Sequence, residues 1–457
     1  MIRVCINTQT PPLRPRAGVL PRGKRIWRID KEYDPNVGGV IPMMRSFLRT
    51  TTGRWVAPSP RWVALGAPDL PAEIRTDEGY VLETVPLDGA TRGEYTRFKE
   101  AVWRSFHGPW GLGTVATRDY LGFVQYNHRT AEHLLRHAGE YDIFYVNDFQ
   151  QILVGGLIGS AAPAVLQWHI PLEFRGYPEP VRRFFLRSME GFDGIVVSTR
   201  AGLEELIRRG FHGRAFQVYP YLDPEEHQPA PAPVLRRFLS RFGLEQSEYV
   251  LSVGRLDPVK RQDLLIAAFR PLRRRFPRLK LVLAGGGSFS TRELGRATRT
   301  DKAAQWGDEL LRTIRRNHLE GSVVLTGSLT SEDLRAAYDG ASVFAHPAPW
   351  EGFGLVVVEA WLHHLPVVVS RGAGVSELVN DGVNGSIVPP GSVPALAQRL
   401  GYILAHPELA RSMGDSGALT ARLCHARRAT ARLKEIFARA IQAYHSGGTV
   451  PPRRLLL

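Results

Sequence analysis

The chain has 457 residues, enough for a sizeable core and for two large α/β domains or about three of average size. Apolar residues make up 44% and charged residues 23%, an ordinary balance that excludes a disordered, fibrous or collagen-like chain. Lys and Arg outnumber Asp and Glu 59 to 44, a formal charge of +15, which favours anionic partners such as nucleotides, phosphorylated small molecules, nucleic acid or an acidic membrane face.

Only seven of the basic residues are lysine, so the charge is partly a compositional habit and weighs little for nucleic acid. Cys5 and Cys424 are too few and too far apart for a zinc cluster or a disulfide framework. Free thiols and a reducing, cytoplasmic setting are expected. The apolar run from Ile2 to Asn7 is too short for a signal peptide, and no stretch approaches the ~20 apolar residues of a membrane span. No integral membrane segment is expected; peripheral contact through basic surface stays open.

In chain order, short β-branched runs alternate with longer amphipathic segments, the pattern of parallel strands joined by helical crossovers. Strands are predicted at Ile2 to Asn7, Trp62 to Leu65, Ile143 to Val146, Ala164 to Trp168, Gly194 to Ser198 and Phe216 to Val218. Tyr219 to Pro224, followed by Pro229, Pro231 and Pro233, has no apolar periodicity and reads as an interdomain linker able to permit closure. Strands resume at Tyr249 to Val253, Leu279 to Ala284, Ser322 to Leu325, Val343 to Ala345, Val367 to Ser370 and Ser386 to Val388. Two doubly wound α/β lobes follow, an N-terminal one over residues 1–222 and a C-terminal one over 223–420. Ala421 to Tyr444 is a long basic amphipathic helix, expected to pack back on the N-terminal lobe, with a solvated surface role or a membrane-binding role as alternatives. Pro451 to Leu457 gives no reading.

Chemistry concentrates in the second half. Trp350-Glu351-Gly352-Phe353-Gly354-Leu355-Val356-Val357-Val358-Glu359-Ala360 follows a strand ending at Ala345-His346-Pro347 and reads as a glycine-bearing loop entering a helix. Amides at a helix start form an anion site, and glycine lets a ligand approach the backbone. Glu351 before the helix and Glu359 a turn into it can both accept from hydroxyl groups, an arrangement suited to a nucleotide-sugar; a capping glutamate beside an ordinary surface glutamate is the plainer alternative. Upstream, Ser252-Val253-Gly254-Arg255-Leu256-Asp257-Pro258-Val259-Lys260 lies at the carboxyl end of a strand, where open α/β sheets bind ligands. Arg255 and Lys260 can converge on a diphosphate. Two solvated surface cations are the alternative for that pair alone.

These segments together resemble the retaining GT-B glycosyltransferases, in particular the large family 4. The resemblance extends through Leu365-Pro366-Val367-Val368-Val369-Ser370, Gly374-Val375-Ser376-Glu377 and Asn380-Asp381-Gly382-Val383-Asn384-Gly385, so it covers roughly residues 245 to 415. It implies a GT-B fold of two Rossmann-like lobes facing a central cleft. By the resemblance, Arg255 and Lys260 neutralise the donor diphosphate, Glu359 holds the ribose hydroxyls, and Glu351 with the Phe353 and Gly354 amides holds sugar hydroxyls. The Leu355 and Val356 amides would meet the phosphate, Gly352 serves the same loop, and Gly285-Gly286-Gly287 with Gly327 to Leu329 line the base pocket.

In the N-terminal half, Gly38-Gly39-Val40 resembles the donor-side glycine loop of the family. Asn147-Asp148-Phe149-Gln150 and Trp168-His169-Ile170-Pro171 are similar to segments of trehalose-phosphate synthase and of the trehalose-forming synthases, which implies that Asp148 and His169 sit over the transferred sugar. A core histidine is the alternative for His169. Asn147 stands where trehalose-phosphate synthase usually has histidine, and Gln150 is more like the trehalose-forming enzymes. Tyr95, Phe98, Trp103, Phe106 and His107 resemble an acceptor-side stretch with one residue fewer between Tyr and Trp; a helix face packed in the core is the alternative. Tyr95, Trp103 and Arg292 are the acceptor candidates. No arginine follows the first strand at Asn7-Thr8-Gln9-Thr10, which counts against a sugar-phosphate acceptor.

The sequence has no Asp-x-Asp pair, no Gly-x-Ser-x-Gly elbow, no His-Glu-x-x-His and no Gly-Lys-Ser/Thr loop, so metal-clamp, hydrolase and NTPase readings lose their main support. The expectation is a metal-independent retaining hexosyltransferase without cofactor, taking a UDP-, ADP- or GDP-linked donor, with glucose as the expected hexose. A small sugar or sugar phosphate would accept, giving a trehalose-type product. A glycogen- or starch-type synthase, a membrane-associated lipid glycosyltransferase and a catalytically silent sugar-nucleotide sensor are the rivals.

Overall fold

A strand buried on both faces has no need to alternate polar and apolar side chains, and the predicted strands are the near-continuous apolar runs that parallel central strands require. The structure, a computed structural model, describes residues 2–16, 26–29, 31–36, 38–51, 59–67, 70–109, 111–286 and 302–446. The chain divides into two compact units, Met1–Pro220 with Ala426–Leu457, and Tyr221–His425.

The strands of the first unit are β1 (Val4–Thr8), β2 (Leu13–Pro15), β3 (Tyr33–Pro35), β4 (Arg61–Leu65), β5 (Glu73–Arg75), β6 (Val81–Val85), β7 (Ile143–Asn147), β8 (Ala164–Trp168), β9 (Gly194–Val197) and β10 (Ala215–Gln217). Eight of them form one sheet in the order β10-β9-β8-β7-β1-β4-β6-β5. It is parallel except where β5 runs antiparallel to β6. Winding starts at β1, moves outward through β4 and β6, and restarts on the other side at β7. The ends of β1 and β7 therefore flank a switch point, where open α/β sheets leave a crevice.

All predicted strands are present, with ends moved by at most two residues. The sequence reading missed β2, β3 and β5, each only three residues long, and β6, because Val81–Val85 carries Glu83 in mid-strand. That carboxylate is buried and tolerated because His133 Nδ1 lies 2.7 Å from its Oε1 and His137 Nε2 2.8 Å from its Oε2. Arg61 Nη1 donates to Oε2 at 2.7 Å.

In the helix Gly89–Phe106, Tyr95, Phe98, Val102 and Phe106 all face the core, the 3.6-residue period of an amphipathic helix. The last helix begins at Ala426 rather than Ala421, because Arg422–Cys424 is a 3-10 turn and His425 is extended. Its Ala429, Leu433, Ile436, Phe437 and Ala440 are buried. Phe437 packs 6.0 Å from the Phe47 ring and 5.0 Å from Tyr145. The apolar stripe of this helix is thus occupied by the first unit and is not a membrane-facing surface.

The second unit has β11 (Tyr249–Val253), β12 (Lys280–Ala284), β13 (Val323–Gly327), β14 (Val343–His346), β15 (Val367–Ser370) and β16 (Ser386–Val388). They form a parallel sheet in the order β13-β12-β11-β14-β15-β16. Its switch point lies between β11 and β14, which brings the two loops singled out in the sequence to one edge. The prolines after residue 222 do not extend a free linker. Pro224 opens a 3-10 turn capped by Asp223, and Pro231 precedes the helix Ala232–Phe242, positions where a missing N–H costs nothing. Among the described residues no helix is long and apolar enough to cross a membrane. Pro451 to Leu457 lie outside the described residues.

Candidate active site

In the second unit the loop after β11 is braced at both ends. The Asp257 carboxylate accepts from the Val259 N–H at 3.1 Å and so caps the turn Pro258–Lys260. Gln262 Nε2 donates to the Arg255 carbonyl at 2.9 Å, and Trp306 Nε1 donates to Gln262 Oε1 at 2.8 Å. This bracing presents Lys260, whose Nζ contacts the Glu351 carboxylate of the loop after β14. The Arg255 side chain is exposed.

The Glu351 backbone is held in turn: its N–H donates to the Gly372 carbonyl at 3.3 Å and its carbonyl accepts from the Gly374 N–H at 3.0 Å. Gly354, at φ 102°, opens the helix Leu355–Leu362. A Cβ at this glycine would lie 3.4 Å from His346 Nε2, an ordinary contact distance, so it is the backbone conformation that asks for glycine. The opening turn leaves the Leu355 and Val356 amides without intrahelical acceptors. Gly352 and Phe353 are buried, so Phe353 can offer a ligand only its main chain.

Gly285, at φ 144°, donates its N–H to the Gly327 carbonyl at 3.1 Å. A Cβ there would lie 2.0 Å from the Gly254 carbonyl oxygen. The ends of β11 and β12 approach this closely only with glycine. Gly287 and Arg292 lie outside the described residues.

His346 was not singled out from the sequence. It is 3% exposed, and its Nε2 lies 3.7 Å from Glu351 Oε2 without a hydrogen-bond partner among the described residues. Burial pushes its pKa down to about 4, the Glu351 charge opposing and the Lys260 charge adding to the shift, so the ring is neutral at pH 7. Tyr338 was also missed: its hydroxyl donates to Glu359 Oε2 at 2.7 Å. The only hint was the position of His346 at a strand end. Nothing local marks Tyr338.

In the first unit the ends of β7 and β8 bring Asn147, Asp148 and His169 together. Asp148 adopts φ 72°, a strained conformation for a residue with a side chain. Its Oδ1 accepts from the His169 N–H at 3.1 Å. Burial raises its pKa to about 6 against the backbone N–H groups of His169, Phe149 and Ile170. Burial also lowers the His169 pKa to about 3, so the imidazole is neutral. His169 Nε2 lies 2.9 Å from Asn147 Oδ1, and Asn147 Nδ2 donates to the Asn7 carbonyl at 3.2 Å. With the amide oriented by that second bond, Nε2 is the protonated nitrogen and Nδ1 the acceptor.

Gly38, at φ 140°, and Gly39 precede the helix Val40–Thr51. The expectation that Tyr95 meets an acceptor is corrected: it is 0% exposed and packs 4.4 Å from the Tyr126 ring inside the core. Trp103 is half-buried and stacks 4.1 Å from the His107 ring.

Residues 239–419 match the family model described as Glycosyl transferases group 1. A "GDP-mannose-dependent alpha-(1-6)-phosphatidylinositol monomannoside mannosyltransferase" of Mycolicibacterium smegmatis is 33% identical over 43% of this chain and 49% of its own length. A "D-inositol 3-phosphate glycosyltransferase" of Salinispora arenicola is 29% identical over 68% of this chain and 71% of its own. The chain spans about half to three-fifths of the length of the first curated relatives it matches. Among solved structures, an alpha,alpha-trehalose-phosphate synthase from Burkholderia xenovorans aligns with a TM-score of 0.77 at 16% identity, over 95% of this chain and all of the other. A sucrose-phosphate synthase from Thermosynechococcus elongatus aligns with a TM-score of 0.69 at 19% identity, over 97% of this chain and 100% of the other. At such identity the likeness is one of fold. The second unit thus carries a glycosyl transferases group 1 domain, in a chain whose two Rossmann-like sheets have the GT-B fold.

Proposed function

We propose that this protein is a retaining glycosyltransferase that moves a hexose from a nucleoside diphosphate to a hydroxyl of a small sugar or sugar phosphate, with no metal ion in the chemical step. One observation carries the reading. The loop after β14 sets Glu351 against Lys260 and passes through Gly354 into a helix that bears Glu359. A cation, opening helix amides and two hydroxyl acceptors are therefore gathered at one sheet edge. The names of both relatives above speak for sugar transfer, one of them from GDP-mannose.

In this reaction the bond from C1 of the sugar to the diphosphate oxygen breaks and a bond from C1 to the acceptor oxygen forms on the same face. The acceptor's proton passes to the departing phosphate. Negative charge grows on the leaving oxygen while the sugar becomes oxocarbenium-like, so preorganised positive groups at the diphosphate lower the barrier most. Lys260, Arg255 and the Leu355 and Val356 amides have that role, assisted by the Gly38 and Gly39 amides. Glu351 and the Gly354 backbone orient the sugar, Glu359 takes the ribose hydroxyls, and Gly285 borders the base. Asp148 and the neutral His169 serve the transferred sugar from the first unit.

Glucose is the proposed hexose and a trehalose-type α-glycoside the proposed product. Mannose as the hexose, or a phosphorylated polyol as acceptor, is the second reading, favoured by the relatives' names. The test incubates the protein with UDP-, ADP- and GDP-glucose and GDP-mannose against glucose, glucose 6-phosphate, an inositol phosphate and a glucan, with products identified by mass and anomeric coupling. An α-linked hexosyl product is expected. A protein that neither transfers nor binds any of these donors would overturn the proposal.

A further inference from the structure

A carboxylate that receives a ligand's hydroxyl groups works best when its own rotation is already fixed, because the ordering is then not charged to binding. Glu359 is partly exposed on the helix Leu355–Leu362, yet its Oε2 is already engaged by the Tyr338 hydroxyl at 2.7 Å. No hydrogen bond from the described residues reaches Oε1.

Tyr338 is itself held. It is 1% exposed and lies at the end of the helix Ser331–Asp339. Its ring stacks on His363 with centroids 5.2 Å apart and planes 14° from parallel. His363 Nδ1 lies 2.6 Å from Asp339 Oδ1, and Asp339 Oδ2 accepts from the Ala230 N–H at 2.6 Å. Burial, reinforced by the Glu359 charge, holds the phenol far above its ordinary pKa, so it remains a donor at any working pH.

We infer that Tyr338 is a positioning residue for Glu359. It pins Oε2 and turns Oε1 toward the ribose hydroxyls, while the His363–Asp339 pair braces the ring from behind and ties it to the segment at Ala230. This deepens the donor-site reading above and rests on it. Tyr338 touches no reacting atom; its effect reaches the nucleotide only through the glutamate.

The test compares wild type with Tyr338→Phe by isothermal titration, using the best bound of UDP, ADP and GDP and its 2′,3′-dideoxy counterpart. Wild type should prefer the ribonucleotide. The variant should bind the ribonucleotide about fivefold to tenfold more weakly and the dideoxy nucleotide as wild type does, so the preference collapses. An unchanged preference in a folded variant would overturn the inference while leaving the donor site standing. Should Tyr338→Phe fail to fold, Asp339→Asn keeps the phenol but slackens its brace. It should show a smaller loss confined to the ribonucleotide, and an equal loss for both ligands would overturn the role. Wild type that binds no nucleotide would overturn the donor-site reading itself.

Discussion

Lys260 Nζ rests on the Glu351 carboxylate, so the loop after β11 and the loop after β14 are joined by a charge-assisted contact. In the proposed reaction this ammonium faces growing charge on the diphosphate. Lys260→Ala should lower turnover by about 10²–10³, the size seen when one preorganised group is removed from a developing oxyanion. Its thermal midpoint should stay near that of wild type, because the pair is partly exposed. Near-normal turnover in a folded variant would remove the lysine from the mechanism.

Asp148 gives activity a pH dependence of definite sign. Burial raises its pKa to about 6, so the carboxylate is ionised only above that pH. If it serves the sugar as an acceptor, kcat/KM should fall about tenfold per pH unit below 6. Asp148→Asn should lose most activity, and its residual rate should lack that limb. Stability moves the other way. The folded state binds this proton more tightly than the unfolded chain, so the group's stabilising contribution is full below about pH 3.9 and gone above about pH 6. A wild-type rate flat down to pH 5 would contradict the role.

Much of this was legible because the strands are self-sufficient signals. β7 and β8 are buried along their whole length and apolar but for Asn147 and Gln167, and their ends announce Asn147, Asp148 and His169. Lys260, Glu351 and Glu359 were legible from motif spacing. β6 was hidden because Glu83 breaks its apolar run, and the partners that neutralise it lie 22 residues before it (Arg61) and 50 and 54 after it (His133 and His137). Tyr95 shows the converse failure: its spacing with Phe98, Val102 and Phe106 marks a core face, and that period outweighs the motif resemblance. Tyr338 meets Glu359 from 21 residues away, a contact that no local pattern encodes, whereas His346, five residues before Glu351, was marked only by its place at a strand end.

Gly285→Ala should be destabilising and should also damage the donor edge. Positive φ with a side chain costs about 1–3 kcal/mol at a strained position. A new methyl carbon 2.0 Å from the Gly254 carbonyl oxygen forces β11 and β12 apart on top of that. Because Arg255 follows Gly254 directly, nucleotide affinity should fall together with the urea midpoint. A midpoint equal to wild type would mean that the strand ends have room this geometry denies them.

Glu83 lies outside the proposed chemistry and offers a separate test of the first unit. Its pKa is lowered to about 2 because the hydrogen bonds from His133 and His137 and the Arg61 charge outweigh the cost of burial. A carboxylate with a depressed folded pKa adds stability that is full above its unfolded value of about 4.3 and is lost as pH falls through about 2. Glu83→Gln keeps the shape but removes the charge that Arg61 and the two histidines face. It should cost about 3 kcal/mol at pH 7, as breaking a buried charge network does. Urea unfolding at pH 7, 4 and 2.5 measures the gap between wild type and variant. That gap should hold from pH 7 to about 4.5 and narrow below it. A gap independent of pH would mean that packing, not charge, makes Glu83 tolerable in β6.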